Sequence, residues 1–376
     1  MRRAYRVIQW ATGGAGRNCL RQVIQRPDFD LAGVWVHSES KVGEDAASLC
    51  GLAEPTGILA TNDAAALVAL DADCVLYTRT NPYYPIQADS ALATTSLPDE
   101  LEPVVAELVG LLASGKNVVS LTTIPLVWPM AWGDEVFDRI SAACDRGRSS
   151  LRVQGIAPGL YSDALILLLS GMSERIDGIR LEQILNYSSY AQPARMRLLG
   201  FGVRPGDFVD RSDRIRTIYG PSMQILAAEL GSELVDLKES VSFCLTDRPL
   251  DLAIGRIEAG RIGALRIVLE GSLDNGAPIV FEIVSRVADH LAPDWPHLDG
   301  REGFRIELAG RPRLRVELDI HSTDGNGIQI TLNQAASLAV NSIPDVCEAP
   351  PGFHWFGDSP VTIGRRLGPA FAAASR

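Results

Sequence analysis

The chain has 376 residues, 46% of them apolar and 22% charged, which suits more than one folded core and excludes a disordered chain. Its net charge of -11, with no basic run beyond the pairs Arg2-Arg3 and Arg365-Arg366, argues against a nucleic-acid partner, because phosphates need clustered Lys and Arg. The longest apolar stretch, around Ala164 to Leu169, is too short to span a bilayer, and no hydrophobic signal region precedes the first strand-like segment. Six scattered cysteines, without CxxC pairs or metal-ligand spacing, suit reduced thiols in a cytoplasmic protein that holds no metal.

Up to about Gly155, strand-like and helix-like segments alternate. Arg6 to Trp10 reads as a strand, and Leu20, Val23 and Ile24 recur at helical spacing after a glycine cluster. "LAGVWVHS" from Leu31 is a second strand and "DADCVLYT" from Asp71 a third. "ELEPVVAELVGLLASGK" is a helix that leads into a buried strand, Asn117 to Leu121. Such alternation implies a parallel sheet with helices on both faces. "NPYYPIQADSALATTSLP" reads as an irregular loop.

Between the first strand and helix lies Ala11-x-Gly13-x-x-Gly16. Small residues there allow a tight turn, close approach of backbone N–H groups to a pyrophosphate, and close packing of helix on strand. Ala11, Thr12, Gly13, Ala15 and Gly16 are therefore the expected pyrophosphate cradle, at the positive end of the helix. A bare structural turn is the alternative. The second strand ends in His37 and Ser38, with Lys41 close behind, where NAD-preferring sites carry a carboxylate. A hydroxyl and a cation suit a 2′-phosphate, so NADP is expected, with NAD open because of Glu39. Thr78 and Arg79, in "TRTN" after the third strand, and Ser120 are expected to face the ribose and nicotinamide.

After Gly155 the pattern changes. "RIVLEGSLDNGAPIVFEIVSRV" holds two strands around Asn275-Gly276, a hairpin signal. "GFRIELAGRPRLRVELDIHS" and "DGNGIQITLNQAASL" continue the alternation, which points to an antiparallel sheet with one face on helices and the other at an interface or solvent. The fold class expected is α/β, with an N-terminal Rossmann-type parallel sheet and a second α+β domain that contains an open, largely antiparallel sheet. The dinucleotide-binding domain is expected at 1–155, completed by a C-terminal helix at 334–376. The substrate and dimerisation domain takes 156–333.

"WATGGAG", "HSESKVGEDAASLCGL", "LLASGKNVVS", "GIAPGLYSDAL", "RMRLLGFGVRPGDF" and "AVNSIPDVCEAPPGF" occur in that order. Together they resemble the dihydrodipicolinate reductase-like oxidoreductases, in the branch of 2,4-diaminopentanoate dehydrogenase and the native amine dehydrogenases. The resemblance implies a homodimer that uses NAD(P) to interconvert a small carbonyl compound plus ammonia with an amine. It also implies a glutamate just after the strand "NVVS". This chain instead reads Ser120-Leu121-Thr122-Thr123-Ile124-Pro125. Either another group serves, or the substrate is a ketone, imine or C=C compound. A non-catalytic NADP(H)-binding sensor stays open as the alternative.

Three residues are candidate proton carriers. Tyr187, beside Glu182 and Tyr190 in "EQILNYSSYAQP", stands where a strand enters a loop expected to wall the cleft. Asp163, in "APGLYSD", is a second candidate, with helix capping as its other role. His290 brackets the aromatic loop "LAPDWP" with His297.

Overall fold

The computed structural model describes residues 3–79, 97, 99–191, 193–210, 212–298, 302–320, 327–358 and 361–364. The expected loop at 81–98 lies outside these, apart from Leu97, and so does His321.

The alternation expected in the first half is present. β1 (Tyr5–Trp10), α1 (Gly14–Ile24) and β2 (Phe29–Trp35) form the first unit. α2 (Ala46–Cys50), α3 (Ala64–Ala69), β3 (Cys74–Tyr77), α4 (Glu102–Ala113), β4 (Asn117–Ser120), α5 (Asp134–Gly147) and β5 (Ser150–Val153) follow. Aspartates start two of the helices: Asp45 accepts from Ala47 N and Asp63 from Ala66 N, each satisfying an orphan first-turn donor. β3 and β5 are buried along their whole length, as expected of central strands covered on both faces.

A linker leads through Gly159 (φ 123) and one π-helical turn, Leu160–Ala164, into the second half. There α6 (Leu165–Ser170), β6 (Arg175–Asn186), α7 (Pro193–Leu199) and α8 (Ser212–Glu229) precede a run of strands. These are β7 (Leu234–Leu245), β8 (Leu250–Leu252), β9 (Gly255–Ile257), β10 (Ile262–Leu273), β11 (Pro278–Arg286), β12 (Glu302–Arg311) and β13 (Leu314–Ile320). The second sheet runs β13-β12-β6-β11-β10-β7 and is antiparallel except where β6 meets β11. Leu181, Phe281 and Phe304 on one face pack against Ile166, Tyr219 and Met223 of the helical layer. The opposite face carries ion pairs, in which Arg180 and Arg266 flank the buried Glu282 at 2.9 and 2.6 Å. Glu182 belongs to this second face. Sequence reading put it at a strand end, but it sits inside β6 opposite Arg305, to which it is salt-bridged.

The C-terminal segment departs from expectation twice. The stretch expected to continue as an alternating strand is helical from Gly327, because Ala336, Ala339, Val340 and Ile343 form one stripe buried against Val7, Cys19, Val23 and Val119. This helix, α9 (Gly327–Glu348), therefore starts before 334 and ends far short of 376. Pro350 and Pro351 cannot prolong it, and the chain instead forms β14 (Gly352–Phe353). β14 pairs with β5 and completes a first sheet of order β14-β5-β4-β3-β1-β2.

Candidate active site

The glycine loop is held from beneath. Ala11 adopts φ 75, a left-handed conformation that costs a non-glycine residue about 1 kcal/mol. Its carbonyl accepts from Gln9 Nε2 at 2.8 Å and Thr78 Oγ1 at 2.9 Å, and its N–H donates to Trp35 O at 2.9 Å. These bonds offset the strain and fix the turn. A Cβ on Gly16 would collide with that same carbonyl oxygen and stand 2.5 Å from Thr78 Oγ1, so only glycine lets α1 come this close. Gly13 is the N-cap, and the N–H groups of Gly14, Ala15 and Gly16 in the first turn meet no backbone carbonyl among the described residues. Gly13 and Gly14 are exposed. Free amides and a helix N-terminus fit the diphosphate of a dinucleotide.

The end of β2 meets this loop directly. Lys41 Nζ donates to Thr12 O at 3.2 Å and Thr12 Oγ1 at 3.1 Å, which sets a cation beside the cradle. Ser38 Oγ lies 2.8 Å from Ser40 Oγ, and both are exposed. Glu39 accepts from Asn62 Nδ2 at 2.7 Å, so the nearby carboxylate is already engaged. His37 tilts against Trp35, whose ring stacks on Trp10 at 5.3 Å and also lies under the Arg79 guanidinium at 5.6 Å. Glu107 of α4 holds Arg79 in place at 2.9 Å. Gln9 and the Trp10–Trp35 stack were not singled out by sequence reading, since a polar or aromatic residue in a strand carries no mark of what lies above it.

Ser120 corrects an expectation. It is fully buried, and its hydroxyl receives Thr123 Oγ1 at 2.7 Å and the Thr122 and Thr123 N–H groups at 3.3 Å. It shapes the turn after β4 and presents nothing to a nicotinamide. Thr78 likewise spends its hydroxyl on Trp10 O and Ala11 O, which supports the cradle from below.

Asp163 is also corrected. It is 1% exposed, with Oδ2 accepting from Ser222 Oγ at 2.9 Å and Oδ1 from Ala164 N at 2.6 Å. Ser162 Oγ, 3.1 Å from Ser222 Oγ, continues the chain to Gly159 N. Burial pushes the Asp163 carboxyl up to about 7, against the opposing pull of these donors. The cluster pins the linker to α8 and is sealed from any substrate.

Tyr187 and His290 share one end of the second sheet. The Tyr187 ring is half-buried against Tyr190 at 5.6 Å and Phe201 at 5.3 Å. His290 Nε2 lies 3.1 Å from Asp247 Oδ1 on a loop whose Asp289 accepts from Asn186 Nδ2 at 2.8 Å. The buried Arg286 donates to the carbonyls of Leu291, Ala292 and Trp295, which fixes that loop. Among the described residues no group of three His, Cys, Asp or Glu side chains is placed to hold a metal, and no helix is long and apolar enough to cross a membrane.

Comparison with known proteins adds four findings. A family model, that of the 2,4-diaminopentanoate dehydrogenase C-terminal domain, matches residues 160–366. An amine dehydrogenase from Streptomyces virginiae is 33% identical over 367 residues, 95% of this chain and 97% of its own. A 2,4-diaminopentanoate dehydrogenase from Acetoanaerobium sticklandii is 23% identical over 270 residues, 70% of each chain. The fold matches the structure of an amine dehydrogenase from Mycobacterium smegmatis with a TM-score of 0.73, at 19% identity and 98% coverage of both chains.

Proposed function

Because the chain belongs to the 2,4-diaminopentanoate dehydrogenase family, we propose that it interconverts a small carbonyl compound plus ammonia with the matching amine, using NADP(H). The observation that carries this reading is the pre-shaped cradle at Ala11–Gly16 with Lys41 beside it. A nicotinamide dinucleotide, when bound, supplies the hydride chemistry, and the protein supplies binding and orientation.

The free amides of the first turn of α1 bind the diphosphate. Lys41, Ser38 and His37 crowd the end of β2 with donors, while Glu39 is withdrawn onto Asn62. That balance favours a 2′-phosphate over bare ribose hydroxyls. Tyr187 is the proton carrier we assign to the substrate side, with Tyr190 and the His290 loop forming the wall around it. A carboxylate is missing from Ser120-Leu121-Thr122-Thr123, and this keeps one second reading in play, a sensor that binds NADP(H) without turnover. Free thiols at all six cysteines suit a cytoplasmic setting. The ion-paired outer face of the second sheet is the surface we assign to a homodimer.

The test is NADPH oxidation with a panel of small ketones and aldehydes, with and without ammonium. Turnover that depends on ammonium is expected; coenzyme binding without turnover across the panel would favour the sensor. Lys41→Ala is expected to raise KM for NADPH about tenfold, the size of one charge-assisted hydrogen bond, and to leave NADH within about twofold. Equal effects on both coenzymes would remove Lys41 from phosphate recognition.

A further inference from the structure

Glu302 is a carboxyl that the fold keeps out of water at an unusual place. It opens β12 at 5% exposed, and its side chain lies on the same face as Phe304, toward the helical layer. Oε1 accepts from the backbone N–H of Asn186 at 2.9 Å. Oε2 is buried and has no hydrogen-bond partner among the described residues. Burial raises the carboxyl to about 7, and the Asn186 N–H opposes it. Glutamine or a backbone carbonyl would serve a plain structural bond at lower cost, so a carboxyl here needs a further reason.

That reason lies in what Asn186 holds. It is the last residue of β6, and the next N–H, of Tyr187, donates to Arg286 O on the other side at 2.7 Å. Glu302 therefore supplies the acceptor on the β12 side where the ladder runs out. The Asn186 side chain accepts from Ser188 N at 2.9 Å and donates to Asp289 at 2.8 Å. Both loops of the substrate wall, the one with Tyr187 and Tyr190 and the one with His290, thus hang from Asn186.

We propose that Glu302 is a positioning residue of the substrate site, a buried carboxyl that clamps the main chain at Asn186 and so sets how the Tyr187–Tyr190 loop meets the substrate. The proposal rests on the functional reading above for the word substrate, and on geometry alone for the clamp. When the carboxyl ionises, the lone N–H of Asn186 cannot satisfy the buried charge, and the clamp site must open to water.

The experiment is hydrogen exchange of the full-length protein, read by mass spectrometry on peptides covering 184–191, with Glu302→Ala and Glu302→Gln. Glu302→Ala is expected to speed exchange there about tenfold, as loss of one buried hydrogen bond would, and to leave the α1 glycine loop unchanged. Wild type is expected to show an extra rise in exchange from pH 6 to pH 8.5, beyond the intrinsic rate, that Glu302→Gln lacks. Should the alanine variant not fold, this second comparison decides. In turnover, Glu302→Ala is expected to raise KM for the carbonyl substrate at least about fivefold with NADPH affinity unchanged, and the glutamine variant to restore it at pH 6. Unchanged exchange at 184–191, or loosening shared equally with the glycine loop, overturns the clamp. Absence of any turnover with the exchange pattern intact overturns the dehydrogenase reading and leaves the clamp standing.

Discussion

Gly16→Ala is expected to abolish measurable coenzyme binding, a loss of at least about 100-fold in affinity, while Ala11→Gly strengthens the same loop. The added methyl at position 16 would occupy the space of the Ala11 carbonyl oxygen and press on Thr78 Oγ1 at 2.5 Å. Neither is the end of a flexible side chain. Ala11 is held by Gln9 and Trp35, and Thr78 by Trp10 O, so relief must come from pushing α1 off the sheet. That movement displaces the free amides and costs about 3 kcal/mol or more in stability, as overpacking against fixed backbone does. Ala11→Gly works in the opposite direction, because glycine takes φ 75 without strain. Thermal melts and fluorescence titration with NADPH read both variants. Wild-type affinity in Gly16→Ala would mean that the coenzyme is held elsewhere.

Asp163→Asn is expected to flatten the alkaline loss of stability. The folded carboxyl keeps its proton up to about pH 7, whereas the unfolded one releases it near the ordinary value of 3.8. Stability from this group is therefore complete below the unfolded value and is lost as the pH rises through about 7. The whole span corresponds to about 4 kcal/mol at about 1.4 kcal/mol per pH decade. About 1.4 kcal/mol of it falls between pH 6 and pH 8.5, equivalent to about 2 °C in Tm for a chain of this size. Asparagine cannot ionise and retains an amide oxygen to accept from Ser222 Oγ, so its Tm slope across that window should be shallower by this amount. Glu302 titrates in the same window and stays in both proteins, so the difference isolates Asp163. Parallel slopes would show that the cluster of Ser162, Asp163 and Ser222 is open to water, and would return Asp163 to the list of catalytic candidates.

What the sequence made legible follows from how far each signal reaches. The Ala11–Gly16 cradle was readable because its chemistry is local: a strand, small residues at fixed spacing and an amphipathic helix are consecutive in the chain. Lys41 was readable as a cation near the end of β2, but its contact with Thr12 depends on how the loop after β2 folds back. Ser120 was misplaced because a serine that caps a turn and one that faces a ligand look alike at a strand end. The segment from Gly327 was misread because short-range alternation favoured a strand, while a longer helical stripe had a sheet to cover. Asp163 and Glu302 were beyond reach as a pair of raised carboxyls. Their burial comes from α8 in one case and from the β6–β12 pairing in the other, contacts spanning 59 and 116 residues.

The most direct measurement is a calorimetric titration of the purified full-length protein with NADPH and, separately, with NADH. Saturable binding at one site per chain is predicted, tighter for NADPH, and lost in Gly16→Ala. No heat with either coenzyme, under conditions where the protein is folded, would contradict the claim that these backbone amides exist to seat a dinucleotide.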